Sequence, residues 1–243
     1  MDNKNEVQNE DINAKKNGLT KLHKSCIAGL LDDVTNLLAQ GADVKIVDTE
    51  NDTIYNGKTG LHFAAENNYT EIIKVLLNHD ITIIDIQNNG GFTALQCAAF
   101  TGNVEATEVL LKFEADTERG DKNEWKPLHT AASAGHNTKS KMSNFLTIVE
   151  LLLNHRANLE STNLYNDTPL HIAFFFDNIE IAAFLFVKGA NLNAADVISV
   201  SNKMKTGKLT ESCRDEALSN EVTTTAATRC GGIPFWTGIS PGN

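Results

Sequence analysis

Four histidines, His23, His62, His129 and His171, recur in similar local sequences along a 243-residue chain. Imidazole ligates metals and acts as a base near neutral pH, so a recurring set needs a chemical explanation. A metal site would require the rings to converge to about 2 Å from one ion. A hydrolytic site would require a nucleophile beside one of them. Neither signature accompanies them. The chain has no HExxH, no GxSxG and no Gly-rich dinucleotide loop, and "NGKTG" at 56–60 lacks the upstream glycine of a phosphate loop. Cys26, Cys97, Cys213 and Cys230 stand far apart with no CxxC pair, so they outline neither a zinc knuckle nor a disulfide framework. No catalytic, metal or cofactor residue is assigned, and a non-enzymatic role is expected.

The composition, 41% hydrophobic and 21% charged, suits a soluble globular protein. The net charge of -10 disfavours a nucleic-acid partner, which needs positive surface to replace phosphate counterions. No stretch approaches the roughly 20 uncharged apolar residues of a membrane span. The N-terminal residues have no apolar core of the kind a secretory leader carries. A cytoplasmic monomer is expected.

The histidines belong to a repeat. A leucine recurs at Leu22 in "TKLHKSCIAG", Leu61 in "TGLHFAAEN", Leu95 in "TALQCAAFTG", Leu128 in "KPLHTAASAG" and Leu170 in "TPLHIAFFFD". Each block continues into a second apolar run, such as "IIKVLLNHDI" or "IVELLLNHRANL". Thr20, Thr59, Thr93 and Thr168 stand where an N-cap hydroxyl would accept an orphan backbone N–H. Pro127 and Pro169 follow at a first helical position. Gly29, Gly102 and Gly135 suit a left-handed helix end, and Asn68 and Asp177 stand in for glycine in the other two units.

The spacing and motif resemble the ankyrin-repeat family, with its unit of about 33 residues and T-P-L-H-x-A signature. The resemblance implies an all-α solenoid of stacked helix–turn–helix units with β-turn fingers. Five repeats are expected at about 19–53, 54–87, 88–120, 121–162 and 163–195, between a disordered arm (1–18) and a non-repeat tail (196–243). One unit is too small to bury its apolar face, and stacking supplies a continuous core. Units about 10 Å apart keep equivalent histidines from meeting at one ion. The resemblance implies instead that each imidazole bridges backbone groups near the helix start.

Several positions depart from the pattern. Lys126 replaces the capping threonine, at a cost of about 1 kcal/mol. Gln96 replaces the histidine. Six extra residues lengthen the finger near Tyr55 and Asn56. Nine more, in "GHNTKSKMSNFLTIVELLL", are expected to form a solvated loop between two helices. A short helix at Leu209–Ser219 is expected in the tail.

The family binds proteins through its turn tips and outward first-helix positions. The resemblance places Tyr55, Lys58, Phe92, Trp125 and Tyr165 at tips, and Ile27, Glu66, Phe100, Ser133, Phe175 and Phe176 outward. Rings suit interfaces, where Trp and Tyr dominate the binding energy, although some could instead pack within the stack. Phe174, at an alanine position, is expected inside, with Phe184 and Phe186 also in the core. The expected function is a scaffold that binds a protein partner. Two alternatives stay open. The Asn- and Lys-rich style is similar to ankyrin proteins of intracellular bacteria and parasites, which implies an effector acting in a host cytosol, with the tail as export signal. The chain could also be the targeting arm of a larger enzyme or receptor.

Overall fold

A computed structural model describes residues 11–49, 57–134 and 141–191. The chain divides into two compact units, Met1–Asp116 and Thr117–Asn243. The first holds helices α1 (Lys21–Ala28), α2 (Leu31–Ala39), α3 (Gly60–Glu66), α4 (Thr70–His79), α5 (Ala94–Thr101) and α6 (Val104–Lys112). The second holds α7 (Pro127–Ala134), α8 (Met142–Asn154), α9 (Pro169–Phe175) and α10 (Ile179–Val187). The fold is all-α, as the resemblance implied, with no named strand among the described residues.

Most of these helices have seven to ten residues, too few to be stable alone in water. Packing supports them. In the first unit α1 lies on α3 and α3 on α5, while α2 lies on α4 and α4 on α6. In the second, α7 lies on α9 and α8 on α10. Buried alanines (Ala64, Ala65, Ala98 and Ala99 in the first unit, Ala131, Ala132 and Ala173 in the second) leave room for close helix approach. The recurring leucines Leu22, Leu61, Leu95, Leu128 and Leu170 are all buried.

The helix starts explain the recurring histidines. Thr20 Oγ1 accepts the His23 N–H (3.2 Å), and His23 Nδ1 accepts the Thr20 N–H (3.1 Å). This is a capping box in which imidazole does the work usual for Glu or Gln. The other ring nitrogen reaches forward: His23 Nε2 lies 2.9 Å from the Ile46 carbonyl and His62 Nε2 lies 3.0 Å from that of Phe92. In the second unit His129 Nε2 lies 3.0 Å from the Asp167 carbonyl. A backbone N–H only donates and a carbonyl only accepts, so each ring carries its proton on Nε2. Gln96 repeats the first half of this bond set, with Oε1 accepting the Thr93 N–H (3.1 Å). Lys126 offers no hydroxyl, yet its N–H still reaches His129 Nδ1 (3.1 Å), so half of the box survives.

The helix ends follow the sequence pattern too. Gly29 (φ 72°), Asn68 (φ 59°), Gly102 (φ 76°) and Asp177 (φ 62°) are all left-handed. Gly29 has a second reason to lack a side chain, since a Cβ there would come within 2.7 Å of the Tyr69 ring.

Three expectations are corrected. Ser133 is buried rather than outward, because seven of the eight residues of α7 are buried; its Oγ donates to the Thr130 carbonyl (2.8 Å). Phe184 and Phe186 are half-buried, not core. Part of the insertion expected as a loop is helix: α8 begins at Met142 and runs 13 residues, drawn into the fold by Phe145, which is buried with Ile148, Val149 and Leu152. Tyr55, Gly135, the tail helix Leu209–Ser219 and the segment assigned to export lie outside the described residues.

Burial lowers the pKa of His62 to about 4. The unfolded ring titrates near 6.5. Between these values the unfolded chain holds the extra proton, so the native state loses stability as pH falls from about 6.5 towards 4. Gln96 shows that a neutral amide fits such a site. His62→Gln is therefore expected to remove the His62 share of acid sensitivity, on the order of 3 kcal/mol across that window. Urea unfolding of both proteins at pH 7 and pH 4.5 measures it.

Candidate functional site

The fingers are shaped by a buried Asx residue. In the first unit Asn88 Oδ1 accepts the N–H groups of Gly90 and Phe92 (both 2.9 Å). Asp48 Oδ1 accepts the Lys58 N–H (2.8 Å) across the longer finger. In the second unit Asp121 Oδ1 accepts from Asn123 (2.8 Å) and Trp125 (2.9 Å), and Asn163 Oδ1 accepts from Tyr165 (2.8 Å) and Asp167 (2.9 Å). All four Asx residues are buried. They escaped the sequence reading, although a signal existed. Asn88, Asp121 and Asn163 each stand five residues before the capping position.

This turn chemistry separates residues that the sequence grouped as tips. Lys58, Phe92 and Trp125 occupy the closing position of their fingers, the place held by Asp167 in the last one. Tyr165 instead occupies the apex, equivalent to Gly90 and Asn123. The difference shows in burial: Phe92 and Trp125 are half-buried, whereas Tyr165 is 70% exposed.

In the first unit, Lys58 Nζ lies 2.6 Å from Glu66 Oε1 and 5.4 Å from the centre of the Phe63 ring. That basic side chain is engaged within the unit. Ile27 and Phe100 point outward from α1 and α5, Phe100 with 59% of its surface exposed.

In the second unit four rings have distinct roles. Trp125 meets Phe176 edge-on at 6.2 Å between centroids, and Phe176 meets Phe175 at 5.2 Å and 76°. Both geometries suit the ring quadrupole. Phe176 is half-buried in this arrangement, while Phe175 is 82% exposed. Phe174, one residue earlier, is buried as expected, at 8%. Three consecutive phenylalanines thus face inside, outward and against Trp125.

No group of three His, Cys, Asp or Glu that could hold a metal ion occurs among the described residues. None of their helices is long and apolar enough to cross a membrane. Burial pushes the Cys26 thiol up to about 12, and the Cys97 thiol is raised by burial as well. Neither is an activated nucleophile.

A family model for ankyrin repeats matches three times, over residues 22–121, 61–141 and 112–196. Rabankyrin-5 of Mus musculus is 31% identical over 179 residues, 73% of this chain and 14% of its own length. The transient receptor potential cation channel subfamily A member 1 of Homo sapiens is 28% identical over 180 residues, 74% of this chain and 15% of its own. A tyrosine-protein kinase of Hydra vulgaris is 31% identical over 174 residues, 70% of this chain and 21% of its own. The chain spans only 14% to 21% of the length of these relatives.

The neighbouring phenylalanines offer a direct contrast. Phe174→Ala should cost about 3 kcal/mol of stability, as large-to-small changes in a core do. Phe175→Ala should change it by less than about 0.5 kcal/mol, since nothing buried is lost. Denaturant unfolding of the two variants measures both.

Proposed function

The chain belongs to the ankyrin-repeat family, whose members are in general non-catalytic protein-interaction modules, and from that premise we propose that it is a scaffold that binds a protein partner through finger and outward first-helix side chains. In Met1–Asp116 these are Tyr55, Lys58, Phe92 and Phe100. In Thr117–Asn243 they are Trp125, Tyr165, Phe175 and Phe176. The observation that carries the proposal is the exposure of Phe175 and Tyr165, 82% and 70%.

Rings held this far into water gain little from the fold that presents them. Interfaces use them, because a large rigid ring buries much area at little entropic cost. Phe176 and Trp125 then serve as the backing that fixes the Phe175 ring. The acidic charge of the chain suits a partner with apolar and basic surface. The cytoplasm is the compartment proposed for this encounter.

Affinity capture from a cell lysate tests it, with the Tyr165→Ala/Phe175→Ala double variant as control. Losing two hot-spot rings should weaken capture by roughly 100-fold or more while leaving the helical circular dichroism unchanged. Undiminished capture by the double variant would remove these rings from the partner surface.

A further inference from the structure

We propose that Asn17, at the head of the first finger, is a site of spontaneous deamidation that unlatches this finger from the next, and that the same dipeptide at Asn89–Gly90 is held inert by its surroundings.

Asn–Gly is the dipeptide in which this reaction meets least hindrance, because glycine has no side chain to obstruct its own backbone nitrogen. That nitrogen gives its proton to solvent and adds to the asparagine Cγ. The Cγ–Nδ2 bond breaks, Nδ2 leaves as ammonia, and a five-membered cyclic imide remains. Water then opens the imide at one of its two carbonyls. One product is aspartate. The other is isoaspartate, in which the main chain runs through Cβ and Cγ. Water is consumed, ammonia is released, and nothing is oxidised or reduced. Two freedoms are needed: a carboxamide that can turn onto the chain, and a glycine N–H not already engaged.

The sequence has three Asn–Gly pairs, at 17–18, 56–57 and 89–90. Asn56 lies outside the described residues. Asn17 and Asn89 are both exposed and both in the first unit, but their surroundings are opposite. Gly90 donates its N–H to Oδ1 of the buried Asn88 (2.9 Å). The Asn89 carboxamide sits against Gly57 of the neighbouring finger, so closely that a Cβ added to Gly57 would collide with it. Cyclisation there must break the bond and lift the amide off its neighbour. Asn17–Gly18 has neither restraint. Among the described residues nothing accepts the Gly18 N–H, and the Asn17 carboxamide makes no hydrogen bond.

The place of Asn17 gives the reaction its consequence. Asn17 (φ 56°) and Gly18 (φ 76°) are the central residues of a tight turn. Lys16 N–H donates to the Leu19 carbonyl (2.9 Å), and Leu19 N–H returns to that of Lys16 (3.4 Å). Positive φ at both residues is what the two-residue turn of this kind demands. The Gly18 carbonyl also accepts the Thr49 N–H (3.0 Å), which ties the turn to the longer finger beside Asp48. Isoaspartate at 17 adds a carbon to the main chain of a turn built for two residues, so the bonds at Lys16, Leu19 and Thr49 cannot all close. Aspartate leaves the main chain unchanged and tolerates the left-handed region. The two products therefore differ in effect.

Peptide mapping by mass spectrometry of the full-length protein, aged at a fixed neutral pH, tests the proposal. Asn17 should convert about tenfold or more faster than Asn89, the factor that one ordinary hydrogen bond supplies. In urea-unfolded protein the two should convert at similar rates. Asn88→Ala should speed Asn89 by about tenfold and leave Asn17 unchanged. Asn88→Asp keeps the acceptor, as Asp121 does in its own finger, and should leave Asn89 protected. Amide exchange reads the consequence: Thr49 should lose protection in the isoaspartate form and keep it in an Asn17→Asp variant. Asn17 converting no faster than Asn89 in the folded protein would overturn the proposal. So would a difference that persists in urea, an Asn89 indifferent to Asn88→Ala, or a Thr49 amide equally protected in the isoaspartate and Asn17→Asp forms.

Discussion

A neutral imidazole, hydrogen-bonded on both sides, is the interaction on which the repeats of His23, His62 and His129 depend. One nitrogen accepts the N–H of the capping residue, and the other donates to a carbonyl of the chain that follows. The same ring therefore starts a helix and joins it to the next finger. Buried backbone groups must be paired, so losing the ring would orphan a donor and an acceptor together. Burial also holds the ring neutral, which a donor-and-acceptor role demands. The histidines first invited a catalytic reading. In His23, His62 and His129 both ring nitrogens are occupied by structural bonds.

That stitching fixes where the fingers stand, and a buried Asx carboxamide or carboxylate fixes their shape. Apex and closing residues are then free of structural duty to different degrees. Tyr165 at an apex stands in water, while Trp125 at a closing position is drawn against His129 and Phe176. Function in such a fold resides in the choice of side chain at positions that the scaffold holds constant. Phe175 is presented because Phe174 anchors the helix beneath it and Phe176 is braced by Trp125.

Much of this was legible in the sequence, for local reasons. Caps, prolines and left-handed ends leave residue-type signatures within a few positions, so Thr59, Pro169, Asn68 and Asp177 could each be placed. The division of Phe174 from Phe175 followed from the repeat frame, which sets Phe174 at a position held elsewhere by alanine. What escaped depends on neighbours distant in sequence. Ser133 looks like a surface residue, but α7 is almost wholly buried. Phe184 and Phe186 look like core, but the packing around them leaves both half-buried. No catalogue pattern marks the four Asx residues; the constant distance of Asn88, Asp121 and Asn163 from the cap was the available clue. Met142–Phe145 continue the helical period of α8, which a gap-based reading of the insertion overlooked.

These rings are neutral, protonated on Nε2 and bonded on both sides. Nitrogen NMR of the imidazoles in His23, His62 and His129 measures this directly. All three should show the Nε2–H tautomer, each with its pKa lowered by burial, that of His62 to about 4. Rings that carry the proton on Nδ1, or that titrate near pH 6.5 like exposed histidines, would contradict it.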